Sequence, residues 1–153
     1  MKIQVARVGK NTQAHLVPIV NDYRKRLSSF VKVDEIEVKS DPQRDKRSLA
    51  KVSKPIYQPS SGEFLVLLDE RGRKFDSTAF AQELQGWIDD PRIKTVTFLV
   101  GPPYGFDDAT RKVASVTWSL SDLTVPSDFA WLLLWEQIYR AMTILKGMPY
   151  HHD

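Results

Sequence analysis

Two stretches of this chain, EFLVLLD at residues 63–69 and TVTFLV at residues 95–100, are almost continuously apolar over the length of a strand. A strand with one wet face alternates apolar and polar residues, whereas a strand covered on both faces has no need to. Both runs are too short for ordinary helices and both carry β-branched and aromatic residues. Two central strands of this kind require helices above and below them. They predict an α/β fold, with a mostly parallel sheet flanked by helices.

The remaining segments fit that frame. KIQVARV (Lys2–Val8) alternates through Ile3 and Val5 and reads as a first strand. Asn11 or Thr12 offers a cap for a helix with an apolar side of Leu16, Ile19, Val20, Tyr23 and Leu27, which tolerates Pro18 only in its first turn. Residues 31–38 form a second strand whose alternation slips after Val33, the mark of an edge position or a bulge. After residues 63–69 a turn, ERGRKF, leads to a helix capped by Asp76 or Ser77 that buries Phe80, Leu84, Trp87 and Ile88. A short helix is expected over residues 107–115. Strands and helices then alternate five times with no linker, so residues 1–153 read as a single domain.

The last helix, residues 128–146, has Ser127 and Asp128 as caps and Gly147 just past its end. Phe129, Trp131, Leu132, Leu133, Leu134, Trp135, Ile138, Met142, Ile144 and Leu145 are too many for one face. Burial on two sides is expected, and a homodimer interface would supply the second. The most polar stretch, residues 39–63, is expected to hold a short helix over residues 43–52, stopped before Pro55. Lys39, Arg44, Lys46, Arg47, Lys51 and Lys54 make it the densest basic region of a chain whose net charge is only +3. It is either a solvated surface or a contact for a nucleic-acid backbone.

Several chemistries are set aside. There is no cysteine, so thiolate catalysis and disulfides are excluded. The three histidines, His15, His151 and His152, show no HxxE or HExxH spacing, and no metal is expected. The amino terminus is too short and polar for a signal peptide, and the apolar stretch at residues 129–135 is far below spanning length. A cytoplasmic protein with no membrane partner is expected. GPPYG matches neither dinucleotide nor P-loop patterns, and no Gly-x-Ser-x-Gly elbow occurs.

Three segments at expected strand ends remain: LLDERG (67–72), LVGPPYGF (99–106) and WSLSDLTVPS (118–127). Their convergence would form a crevice for a flat, largely neutral group held by backbone atoms. Glu136, Tyr139 and Arg140 share a face of the last helix by their spacing. Tyr150, His151 and His152 lie on a terminal tail that either orders over a substrate or frays.

LLDERG, LVGPPYG, WSLSDLTVP, EQIYRA and the terminal PYH, in this order, resemble the SPOUT-class methyltransferases that act on N3 of a pseudouridine in large-subunit ribosomal RNA. The resemblance spans nearly the whole chain, including the early VGK and YRKRL. It implies a SPOUT α/β-knot with a C-terminal deep trefoil knot, a homodimer, and S-adenosylmethionine as the methyl donor. Donor contacts carried over by position fall at Leu68, at Gly101 and Pro102, and along Ser121, Asp122, Leu123, Thr124, Val125 and Pro126. Glu136, Arg140, Tyr150 and His151 become the catalytic set: Arg140 binds phosphate or stabilises an anionic base, Glu136 orients it, Tyr150 and His151 cover the target base, and His151 is a proton acceptor. Ribosomal RNA or the ribosome is the implied partner.

The chain departs from the family pattern at Pro102, where a glycine is usual, at Tyr104, where an acid is usual, at Ser127 for histidine and at Trp131 for arginine. A proline at 102 has no N–H and resists positive φ. Trp131 exchanges a phosphate-binding fork for apolar area suited to a partner. These departures motivate an alternative, a knotted homodimer that binds RNA or another partner without methyl transfer.

Overall fold

The computed structural model describes residues 1–10, 13–42, 44–45, 47–51 and 54–152, with position 50 described by its backbone alone. Five strands form one sheet: β1 (Lys2–Val8), β2 (Lys32–Val38), β3 (Glu63–Lys74), β4 (Thr95–Val100) and β5 (Val116–Ser119). Every neighbouring pair is parallel, in the order β2-β1-β4-β3-β5. The two apolar runs are therefore interior strands, β3 and β4. Side chains alternate between faces, so each run feeds two cores. Val66, Val96, Phe98 and Val100 join Ile3 and Val5 in one core. Leu65, Leu67 and Leu99 join Ala6, Val8 and Phe106 in the other.

Helices α1 (Val17–Leu27), α2 (Ser77–Asp89) and α4 (Ser127–Leu145) cover the first face, with α4 packed against both α1 and α2. The second face is covered by Val113 at the end of α3 (Asp108–Val113), and by Ile56 and Tyr57 of the preceding irregular segment. Asp76 caps α2 by accepting the Ala79 N–H at 2.7 Å. Gly147, at φ +63°, ends α4 in the left-handed conformation a glycine adopts without strain.

The sheet corrects several expectations. β2 is an edge strand, and its register with β1 is unbroken from Lys2↔Lys32 to Val8↔Val38, so the slip in its pattern is not a bulge. The expected turn ERGRKF is instead mostly strand: β3 continues to Lys74, and its pairing with β5 shifts register between Leu68 and Arg73. In place of a helix over 43–52 there is one short 3₁₀ turn, Leu49–Lys51; Gln43 and Val52 lie outside the described residues. The capping roles assigned to Asn11 and Thr12 also fall outside them. Helix α1 follows a 3₁₀ turn at Ala14–Leu16 and takes Pro18 in its first turn, but Ile19 is exposed rather than packed.

Neither Ser127 nor Asp128 caps α4, whose N-cap is Pro126. Asp128 is buried and pairs with buried Arg7, whose guanidinium lies 4.7 Å over the Trp131 ring. Trp131 and Trp135 donate their indole N–H groups to Glu35 of β2 at 3.3 and 3.1 Å. Trp131 is thus packed inside its own chain. Much of the apolar width of α4 is absorbed by α1, α2 and the sheet, while Phe129 stays half exposed.

Gly72 sits at the β3–β5 register shift, where a Cβ would lie 2.6 Å from backbone atoms of Thr117 and Trp118. Backbone cannot yield as a side chain tip can. Gly72→Ala should destabilise the fold by about 1–3 kcal/mol. A lower urea midpoint at unchanged slope is the expected readout.

Candidate functional site

Because all five strands point the same way, the carboxyl ends of β4 and β5 meet the register shift of β3 at one edge of the sheet, and there they line a cavity of about 640 Å³. That is within the range of small-molecule sites. The three segments singled out by sequence meet in it. Leu68, Gly101, Pro102, Ser121, Leu123, Thr124 and Val125 line it, and so does Ser127. Asp122 and Pro126 do not: Asp122 is exposed and pairs with Lys74, and Pro126 stands at the start of α4.

The loop after β4 explains its unusual composition. The Pro102 carbonyl accepts the Gly105 N–H at 3.0 Å, and only Gly105, at φ +87°, needs a left-handed conformation. Pro102 is buried and no positive φ is asked of it. Gly101 is required for a different reason: a Cβ there would lie 2.5 Å from the Phe106 ring, which fills the second core.

Two ion pairs border the cavity. Arg111 of α3 donates through Nε and Nη2 to Asp69 Oδ2 at 3.0 and 2.8 Å, and the other Asp69 oxygen accepts the Arg71 N–H at 2.9 Å. Asp107, buried at the start of α3, accepts the Thr110 N–H at 2.7 Å and the Arg44 Nη1–H at 2.9 Å. Opposite, Trp118 stacks on Phe80 with ring centroids 4.2 Å apart. Sequence reasoning had the segments but not these pairs. Asp69 and Arg111 are far apart in the chain, and only the Asp-x-x-Thr spacing at Asp107 signalled a cap. Burial pushes the Tyr104 hydroxyl pKa up, against the pull of Arg44.

A second constellation lies on the carboxyl half of α4 and the tail behind it. Arg140 donates to Glu136 Oε1 through Nε at 3.0 Å and Nη2 at 2.6 Å. The Tyr150 hydroxyl donates to the same oxygen at 3.0 Å and meets the Tyr23 hydroxyl at 3.4 Å. Arg140 Nη1 is 3.2 Å from His151 Nδ1. A guanidinium only donates, so Nδ1 accepts and a neutral His151 ring keeps its proton on Nε2. Glu136 raises the Arg140 pKa, making it a fixed cation. Burial, with Tyr23 and Glu136, drives the Tyr150 pKa above its ordinary value, so its hydroxyl is a donor and not a base near neutrality.

The four residues Glu136, Arg140, Tyr150 and His151 come together, but none lines the cavity. Along α4, at about 1.5 Å per residue, Arg140 is about 20 Å beyond Ser127. An arginine side chain cannot span that distance. Among the described residues there is no cluster of three or more His, Asp or Glu able to hold a metal, and no helix long and apolar enough to cross a membrane.

Glu136 is the anchor of the tail. Glu136→Ala should speed amide exchange at Tyr150 roughly tenfold, the loss expected when charged hydrogen bonds are removed. Hydrogen exchange followed by mass spectrometry checks it.

Comparison with known proteins matches residues 1–151 to a family described as "Predicted SPOUT methyltransferase". Similar full-length relatives carry the name "Ribosomal RNA large subunit methyltransferase H". One from Maridesulfovibrio salexigens is 37% identical over 156 residues, covering 99% of this chain and 98% of the relative. One from Flavobacterium psychrophilum is 36% identical over 163 residues, with all of both chains covered. One from Gloeobacter violaceus is 34% identical, with 99% of each covered.

Proposed function

This chain belongs to the SPOUT methyltransferase family, and from that premise we propose that it methylates N3 of a pseudouridine in large-subunit ribosomal RNA, using S-adenosylmethionine, as a cytoplasmic homodimer. It is an enzyme, a ribosomal RNA methyltransferase. The observation that carries the finer reading is the cavity, where three strands bring together all of the positions matching the family's donor contacts except Asp122 and Pro126. On this reading the carboxyl-terminal segment is threaded in the trefoil knot the family resemblance implies.

The cavity suits the donor. Its floor is apolar, through Leu68, Val100 and Trp118, and its walls are turns with backbone atoms close at hand. Leu68, Gly101, Pro102, Ser121, Leu123, Thr124 and Val125 would hold the donor. When bound, S-adenosylmethionine supplies a methyl already activated on a sulfonium sulfur. What the protein must add is alignment, which contributes up to roughly 7–11 kcal/mol, and help for an imide that has to lose its N3 proton. Arg140, clamped by Glu136, puts a permanent positive charge where the imide becomes negative. Tyr150 offers a neutral donor to the same region. His151 can accept a proton at Nδ1 only by releasing Arg140, so its bond to Arg140 must open if it serves as the base.

The separation of cavity and Arg140 cluster supports the dimer. On this reading a second copy packs against α1 and α4, where Val17, Ile19 and Phe129 are exposed, and its cluster completes the first copy's cavity. Two of the departures from the family pattern, at Pro102 and Trp131, do not stand against methyl transfer. Pro102 occupies a position that needs no positive φ, and Trp131 is packed on Arg7 rather than left for a partner.

Calorimetric titration of S-adenosylmethionine, with mass-spectrometric mapping of ribosomal RNA from cells lacking the gene, tests the reading; absence of donor heat sinks it. Gly101→Ala should weaken donor binding about tenfold or more, because Phe106 must leave its core position. Arg140→Met should lower kcat about 100-fold or more while donor affinity is retained. Mixing these two variants discriminates the shared site. One of two sites in each heterodimer would be intact, so roughly a quarter of wild-type activity should return. A site contained within one protomer would return none.

A further inference from the structure

Of the ten arginines, eight have a carboxylate partner: Arg7, Arg24, Arg26, Arg44, Arg73, Arg92, Arg111 and Arg140. The other two, Arg47 and Arg71, are exposed and pair with no carboxylate among the described residues. Both belong to one region. Arg71 lines the rim of the cavity, and so does Leu49, two residues from Arg47.

The segment carrying Arg47 is built onto that rim. Arg44 joins it to the start of α3 through Asp107 and ties its two ends by donating to the Lys54 carbonyl at 2.9 Å. The Ile56 N–H donates to the Thr110 hydroxyl at 2.9 Å, and Ile56 and Tyr57 pack in the second core. The local carboxylates are mostly committed, with exposed Glu70 of the cavity lining the exception. Asp41 and Asp107 pair with Arg44, and Asp69 and Asp108 with Arg111. Asp45 accepts the Arg47 and Ser48 N–H groups at 2.8 and 2.9 Å, closing its own turn. Lys39 just after β2, and Lys51 and Lys54 on the segment that carries Arg47, are exposed and are in no ion pair with described residues. Arg44 and Arg111 are matched to Asp41, Asp107, Asp69 and Asp108, which leaves Arg71 at the cavity rim and the exposed Arg47, Lys51 and Lys54 on the segment tied to that rim.

We propose that Lys39, Arg47, Lys51, Lys54 and Arg71 form a phosphate-contacting rim that holds the ribosomal RNA backbone over the cavity. This rests on the methyltransferase reading, and it assigns RNA positioning to a surface separate from the Arg140 cluster. A chain of only +3 net charge gains RNA affinity by concentrating unpaired cations in one place. Each phosphate contact releases counterions and steepens the salt dependence of binding by about 0.7–0.9 in log–log slope.

The test measures binding of the full chain to purified bacterial large ribosomal subunits between about 50 and 200 mM KCl. Arg47→Gln/Arg71→Gln and Lys51→Gln/Lys54→Gln are compared with Lys32→Gln/Lys94→Gln. The last pair removes the same charge from exposed residues at the opposite end of the strands. The rim variants should each flatten the slope by between about one and two and weaken binding about tenfold near 0.1 M salt, with the control pair close to wild type. Rim variants indistinguishable from the control pair overturn the proposal, as does wild-type binding that ignores salt. Thermal melts show whether each variant is folded. Donor titration of Lys51→Gln/Lys54→Gln separates the two ideas: donor heat with unaltered ribosome binding removes the rim alone, while no donor heat from wild type removes the methyltransferase reading.

Discussion

The rest of the structure follows from one constraint, an all-parallel sheet that must be covered on both faces. Parallel strands need crossovers, and crossovers place helices or packed segments over each face. β4, between β1 and β3, meets the constraint most fully, with Val96 through Val100 buried. Parallel direction also aligns the carboxyl ends of β3, β4 and β5 at one edge. The cavity lies there because β4 stops at Val100 and the β3–β5 ladder breaks between Leu68 and Arg73, and the turns that leave β4 and β5 carry the small residues that let chains approach.

Charge is arranged around that edge with few exceptions to pairing. Asp69, Asp107 and Asp128 are each nine-tenths or more buried, and each meets an arginine from another element: Arg111, Arg44 and Arg7. A buried carboxylate without its partner costs several kcal/mol, so these pairs do more to define position than to add net stability. Asp69–Arg111 fixes α3 to the end of β3, Asp107–Arg44 fixes the basic segment to α3, and Asp128–Arg7 fixes the start of α4 over β1. The cavity is bounded by elements whose relative placement these contacts specify.

The proline-rich loop shows how composition misleads when conformation is unknown. Read alone, Pro102 suggests a lost N–H and a lost glycine conformation. In the fold the turn uses the Pro102 carbonyl, and Gly105 takes the positive φ. Trp131 is a similar case. An apolar residue in place of a cation points outward to a partner, yet its ring lies on Arg7 and its N–H on Glu35. Both residues fit the fold as it stands, Pro102 through its own turn and Trp131 through Arg7 and Glu35.

The chain's own pattern was sufficient for β1, β2, β4 and the first half of β3, for α2 and α4, and for the Glu136–Arg140 pair, because those rest on periodicity and on contacts within a few residues. It failed at residues 70–74, where ERGRK resembles a turn by charge and glycine content but remains paired with β5 across a register shift. It failed again at 43–52, where polar composition allowed a helix and tertiary contacts left one 3₁₀ turn. Sequence also located the three segments of the cavity and the tail residues. Only the tertiary structure decided that the cavity and the Arg140 cluster are separate within a protomer, and that Arg71 shares a rim with the basic segment. Those facts depend on long-range packing and on helix length, which no local pattern encodes.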